Sequence, residues 1–231
     1  MDQFDLVIFD CDGVLVDSEL IAYTIFTEML NEIGLSLTLE EIFDICVGKS
    51  LATCLEIIKD MFGKSVPDNF AIEFRQRTIQ AFMIDLQPVQ GIHDVLSQLK
   101  LSYCVASNSN YEWLQKALSK TSLLPYFLGK IFSATEVARS KPDPDVFLYA
   151  AEKMGFSPER CVVIEDTPTG VKAGVDAGMT VFGYAERMNP EKLREAGACI
   201  VFNDMRLLPE LLKQPNHPEK AVLKSTVPLT N

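Results

Sequence analysis

The chain has 231 residues, 48% hydrophobic and 23% charged, an ordinary globular composition long enough for one large domain or a domain plus a smaller one. A formal net charge of −11 argues against nucleic acid as a partner, while a metal or a local lysine can still reverse the sign in a cleft for a small anion. No apolar run reaches the ~18 residues of a membrane span, and Asp2 and Asp5 stand where a secretion signal would be basic; a cytoplasmic protein is expected.

The first element is Leu6-Val7-Ile8-Phe9, an apolar run that ends on Asp10-Cys11-Asp12-Gly13. From Ser18 to about Leu86 there is helical periodicity and no convincing strand: Ile21, Ile25, Phe26, Met29 and Leu30; Leu51, Leu55, Ile58, Met61 and Phe62; Phe70, Phe74, Thr78 and Phe82. The Phe and Met residues here read as packing. Pro88 and Gly91 then break the pattern. Further continuous apolar runs follow at 103–106, 130–132, 161–164, 180–182 and 199–202, as in strands buried on both faces of a parallel sheet. Helical patterns over 111–118, 144–154, 169–177 and 191–196 alternate with them. The expected fold is therefore α/β, a doubly wound, Rossmann-like parallel sheet with an inserted all-helical cap. Residues 1–16 and 89–213 form the expected core, 17–88 the cap, and the proline-bearing 214–231 a loose tail.

The six cysteines form no CxxC pair and have no companion histidines, so neither zinc nor disulfides are expected. Cys104 and Cys161 lie in apolar runs and read as buried, inert thiols. With only His93 and His217 present, histidine catalysis is disfavoured.

In open α/β sheets ligands bind beyond the carboxyl ends of the strands. There the first strand delivers Asp10 and Asp12, the second Ser107-Asn108-Ser109, and the fourth Glu165-Asp166. After the third comes Ser140-Lys141-Pro142-Asp143-Pro144, where Pro144 can open a helix. Carboxylates about 4 Å apart repel by ~1 kcal/mol in water and ~4 kcal/mol at an effective dielectric of 20. Lys141 offsets one charge and a hard divalent cation two more; Mg²⁺ suits oxygen ligands and commonly shares its shell with a phosphate. Taken alone, each piece has a plainer reading. Asp10 and Asp12 could end a strand in an Asx turn, Ser107-Asn108 could cap a helix, Lys141 could be a surface lysine, and Glu165-Asp166 could start a helix. Gly170, Gly174 and Gly178 suggest close packing of a helix on the sheet more than a phosphate cradle, and Asp176 reads as structural.

Together, DCDGVLVDS, the serine-flanked Asn108, SKPDPDVF at 140–147 and VIEDTPTGVKAGVDAGM at 163–179 resemble the four ordered motifs of the haloacid dehalogenase superfamily. The helical insert resembles the cap of its β-phosphoglucomutase-like subgroup, and the match covers nearly the whole chain apart from the tail. The resemblance implies a phosphatase that acts on small phosphorylated metabolites, sugar or sugar-acid phosphates, through an aspartyl-phosphate. It implies Asp10 as nucleophile and Asp12 as acid and base. It further implies Mg²⁺ held by Asp10, the Asp12 carbonyl and Asp166, with Glu165 just outside that shell, and phosphate held by Ser107, Asn108 and Lys141. It places a specificity loop near Val47-Gly48-Lys49-Ser50, making Gly48 and Lys49 cap candidates together with Glu19.

The nearest rival is a phosphoglucomutase, whose cap-side histidine aligns here with Ala22. A dehalogenase needs neither Asp12 nor a metal. A phosphorylated receiver lacks a long helical insert after its first strand, and a non-catalytic binding protein would not need the intact acidic set. Monomer and small homo-oligomer remain equally open.

Overall fold

The protein's structure, a computed structural model, describes residues 4–213 except 48, 50 and 64; Gly48 and the tail from 214 lie outside the described residues. The chain divides into two compact units, Met1–Val16 with Pro88–Asn231, and Asp17–Gln87. Pro88, grouped with the cap in the sequence reading, falls in the first unit because it bridges Val16 in antiparallel fashion.

The first unit is built on strands β1 (Leu6–Phe9), β2 (Ser102–Ser107), β3 (Ile131–Ser133), β4 (Cys161–Glu165), β5 (Thr180–Tyr184) and β6 (Ile200–Phe202). They form one parallel sheet in the order β3-β2-β1-β4-β5-β6. Every residue of β1 and β4 is buried, so both sheet faces are covered, which is why the strands read as unbroken apolar runs rather than alternating ones. Cys104 and Cys161 are fully buried within it. Chain order turns back at β1: β2 and β3 lie on one side, β4 to β6 on the other. The crevice at such a switch point opens at the carboxyl end of β1, where Asp10 begins.

The unit Asp17–Gln87 contains helices α1 (Ser18–Glu32), α2 (Leu39–Cys46), α3 (Leu51–Phe62) and α4 (Phe70–Asp85). Their shared core includes Phe26, Met29, Leu30, Ile42, Cys46, Ile58 and Phe70, with Phe26 edge-on to Phe70 and Phe74 at 5.9 and 5.5 Å. Helix α2 also carries the helical pattern, with Leu39, Ile42, Phe43 and Cys46 at i, i+3, i+4 and i+7, although it is not among the periodic runs of the sequence reading. Its start is encoded as a capping box: Glu41 N–H donates to Thr38 Oγ1 and Thr38 N–H to Glu41 Oε2. Met61 and Phe62, read as packing, are 57% and 39% exposed. They occupy the last turn of α3, beyond Ile58, which is the final residue of that helix in the core. Met83 is likewise exposed.

Helices α5 (Ile92–Gln98), α6 (Tyr111–Lys120), α7 (Leu124–Phe127), α8 (Asp145–Met154), α9 (Pro168–Asp176), α10 (Pro190–Glu195) and α11 (Leu208–Leu211) complete the first unit. Helix α8 packs on β1, β2 and β3 and touches α9, which covers β4 and β5; α10 continues over β5 and β6. Gly174 lets α9 come down onto the sheet, since a Cβ there would lie 2.7 Å from Val181 Cγ2. Among the described residues no helix is long and apolar enough to cross a membrane.

Candidate active site

Sheet register brings the acidic groups together. Phe9 pairs with Val105 of β2 and Ile164 of β4, and Asp10 N–H donates to the Ile164 carbonyl at 3.0 Å, so the ladder continues one residue past β1. Asp10 therefore emerges between Ala106 and Glu165. The chain then folds back tightly: Leu15 and Val16 N–H donate to the Cys11 carbonyl, and Gly13 N–H to the Val16 carbonyl. Gly13 sits at φ +77°, a left-handed conformation that glycine adopts without strain, and a Cβ there would lie 2.0 Å from Asp166 Oδ2. The turn after the first strand and the end of the fourth can thus meet only because residue 13 has no side chain.

Lys141 joins these parts. Its ammonium donates to Asp10 Oδ1 at 2.6 Å, Glu165 Oε1 at 2.8 Å and the Ala106 carbonyl at 3.0 Å, across the ends of three adjacent strands. It is 7% exposed, Asp10 7% and Glu165 1%, so the surface-lysine reading does not hold. Its Nζ also lies 4.4 Å from the centroid of the Phe147 ring on α8. The Asn108 side chain clamps the Lys141 backbone from both sides: Lys141 N–H donates to Asn108 Oδ1 at 2.9 Å, and Asn108 Nδ2 donates to the Lys141 carbonyl at 3.3 Å.

An ammonium has three hydrogens, and the three bonds to Asp10, Glu165 and Ala106 use them all. Lys141 can donate to a further oxygen only by giving one of them up.

Glu165 points at Lys141 and is locked from behind. Its Oε2 accepts from Thr167 N–H and Thr167 Oγ1, both at 2.9 Å, and Thr167 in turn caps α9 by accepting from Gly170 N–H at 3.0 Å. Gly170 passes directly over the carboxylate, since a Cβ on it would lie 1.7 Å from Glu165 Oε1. Of the three glycines near 174, this one makes room for the site and not for the sheet.

Two buried carboxylates, Asp10 and Glu165, share one buried ammonium, and a third, Asp166, is buried beside Gly13. Burial pushes the Asp10 pKa from 3.8 up to about 7; Lys141 pulls it down, and Glu165 and Asp12 push it further up. Burial alone would lower the Lys141 pKa, but Asp10 and Glu165 outweigh it and raise the value above the ordinary lysine range. The cluster therefore remains short of positive charge.

Asp12, half-buried, faces a different set of partners, Ser109 and Trp113. Ser107 is 2% exposed and accepts through Oγ from Ser109 N–H at 3.2 Å. The sequence reading missed Trp113, the clamping role of the Asn108 side chain, and Thr167. A signal for the first was available: Asn110 is an N-cap three residues before the chain's single tryptophan.

In the helical unit, Glu19 and Lys49 line one cavity of about 250 Å³, with Ala22, Tyr23, Cys46 and Cys54 among the residues around it. The Lys49 ammonium donates to the Ile45 carbonyl.

A family model described as "haloacid dehalogenase-like hydrolase" matches residues 7–184. The chain is 32% identical to 6-phosphogluconate phosphatase of Escherichia coli over 92% of its own length and 96% of that protein's. Among solved structures, a haloacid dehalogenase-like protein of unknown function from Agrobacterium tumefaciens superposes with a TM-score of 0.86 at 34% identity, covering 90% of this chain and 97% of that one. A hydrolase of the same family from Deinococcus radiodurans, solved with bound phosphate and sodium, gives 0.82 at 30% identity, covering 92% and 97%.

Proposed function

Since the chain belongs to the haloacid dehalogenase-like hydrolases, we propose that it is a Mg²⁺-dependent phosphatase of sugar or sugar-acid phosphates that works through a phosphoryl group carried on Asp10. The observation that carries this reading is the buried bridge from Lys141 Nζ to Asp10 Oδ1 and Glu165 Oε1, at 2.6 and 2.8 Å. A buried ion pair is poor at adding stability and expensive to break, about 3–5 kcal/mol when one partner is removed. Such an arrangement suits a site that needs an oriented, ionised carboxylate.

In this reading Asp10 attacks phosphorus, the P–O bond to the substrate breaks, and the electron pair leaves with the alcohol oxygen. Asp12 gives that oxygen a proton, then takes one from the water that attacks the phosphorus. The bond from Asp10 oxygen to phosphorus breaks, phosphate leaves, and Asp10 returns as a carboxylate and Asp12 as the acid. Lys141 restrains the Asp10 carboxylate and, by exchanging its Ala106 bond, meets a phosphoryl oxygen. Ser107 and the Asn108 backbone are the remaining phosphoryl contacts.

The donors available for Mg²⁺ are the Asp10 and Asp166 carboxylates and the Asp12 carbonyl. They are hard oxygens, and the space left by the missing Cβ of Gly13 lets Asp166 lie against the Asp12–Gly13 backbone. Mg²⁺ commonly keeps several waters and shares its shell with a phosphate, so it needs few protein ligands. When bound, Mg²⁺ would neutralise the phosphoryl oxygens and the excess carboxylate charge. Glu165, committed to Lys141 and Thr167, acts by holding Lys141.

The helical insert Asp17–Gln87 is read as the cap, with Glu19 and Lys49 as substrate contacts. The 6-phosphogluconate phosphatase relative makes sugar-acid phosphates the leading substrate class. Ala22, where a mutase would carry a histidine, favours hydrolysis over transfer. Purified protein screened against phosphorylated metabolites should release phosphate from sugar-acid and sugar phosphates, fall silent with EDTA and recover with Mg²⁺. Isomerisation of glucose 1-phosphate without phosphate release would replace this reading with the mutase one.

A further inference from the structure

Asp12 reaches its partners across the fold. Ser109 Oγ donates to Asp12 Oδ2 at 2.8 Å, and the Trp113 indole N–H straddles both carboxylate oxygens at 3.3 and 3.4 Å, from positions 97 and 101 residues away in sequence. Both donors are themselves anchored. Ser109 N–H donates to Ser107 Oγ at 3.2 Å, and the Ser109 carbonyl accepts from Ser133 Oγ at 2.8 Å, so the ends of β2 and β3 fix its backbone. Ser133 is fully buried and is tied in turn to Thr135 at 2.8 Å. Trp113 N–H donates to Asn110 Oδ1 at 2.9 Å, the bond that starts α6.

The geometry points to Ser109 and Trp113 as positioning residues that aim the Asp12 carboxylate at the ester oxygen. The inference rests on the proposed acid and base role of Asp12. A single hydrogen bond would leave the carboxylate free to swing about that bond. An indole N–H shared between the two oxygens also fixes the plane of the group. A hydroxyl both donates and accepts, so Ser109 can stay bonded whether Asp12 carries its proton or has just given it up; Trp113 can only donate. General acid catalysis demands a group within hydrogen-bond reach of its target, and small misplacements lose large factors in rate.

A positioning role on the acid differs from a structural role in how it depends on the leaving group. p-Nitrophenolate departs without a proton, whereas the alkoxide of 6-phosphogluconate does not. The experiment measures kcat/KM, which reports through the first irreversible step, for both esters in the wild-type protein and in Asp12→Asn, Ser109→Ala, Ser109→Thr and Trp113→Phe, with thermal unfolding as a check on folding. Ser109→Ala and Trp113→Phe should each lose roughly tenfold on 6-phosphogluconate, the scale of one hydrogen bond to a charged group, and much less on p-nitrophenyl phosphate. Ser109→Thr, which keeps the hydroxyl, should recover most of the loss. Equal losses on both esters, or no loss on either, would overturn the positioning role while Asp12→Asn still discriminates between them. If Asp12→Asn itself loses equally on both, the acid assignment fails and the positioning role with it.

Discussion

Asp10 is a carboxylate removed almost wholly from water, and the proposed attack on phosphorus requires it ionised. Burial dominates its pKa and raises it from 3.8 to about 7, against the pull of Lys141. A pKa raised by folding gives stability that is full below the unfolded value and is lost as pH rises through the folded one. The metal-free protein should therefore lose this contribution between about pH 4 and 7. A bound divalent cation favours the ionised form, so its stabilising effect should grow over the same window. Melting temperatures after EDTA treatment, with and without added Mg²⁺, should show a larger Mg²⁺-induced rise at pH 8 than at pH 5. The Asp10→Asn variant should show little such difference. A rise independent of pH in the wild-type protein would mean that Asp10 does not face the cation.

At the scale of elements, α9 serves the sheet and the site with successive turns. Gly170 lies over Glu165 and Gly174 over Val181 and Val163, so the same residue type has two separable purposes. In Gly170→Ala the new methyl must displace a carboxylate that is bonded to Lys141 and Thr167, and the displacement reaches Asp10 through Lys141. Activity should fall roughly tenfold or more. In Gly174→Ala the methyl meets only aliphatic side chains, so stability should fall by about 1–3 kcal/mol with kcat nearly unchanged. Steady-state kinetics and denaturant unfolding on the two variants separate these outcomes. The reverse pattern would contradict the division of labour along the helix. The sequence reading took these glycines as one packing feature, which is right for Gly174 and misses Gly170.

Across the whole molecule, what was legible follows the physics of burial. Strands covered on both faces must be apolar throughout, so all six could be read, and carboxylates at their ends stood out against those runs. Short α2 follows the helical spacing through Leu39, Ile42, Phe43 and Cys46 but was not among the runs read, and exposed Met61 and Phe62 carry the same pattern as residues inside the core. That Lys141 and the strand-end carboxylates share one edge of the sheet is legible from strand order; which atoms pair there is not. Lys141 meets Asp10 across 131 residues and Trp113 meets Asp12 across 101; no local spacing records contacts made by strand order and register. The sheet places the ends of β1, β2 and β4 under one lysine, and the proposed chemistry follows from what that lysine holds. Rapid chemical quench of the enzyme with a turning-over sugar phosphate, followed by peptide mass analysis, tests this most directly. The account predicts an acid-stable, base-labile phosphoryl group on the peptide that carries Asp10, absent from Asp10→Asn, which should fold normally and not turn over. Turnover by Asp10→Asn, or a phosphoryl group carried on any other residue, would contradict it.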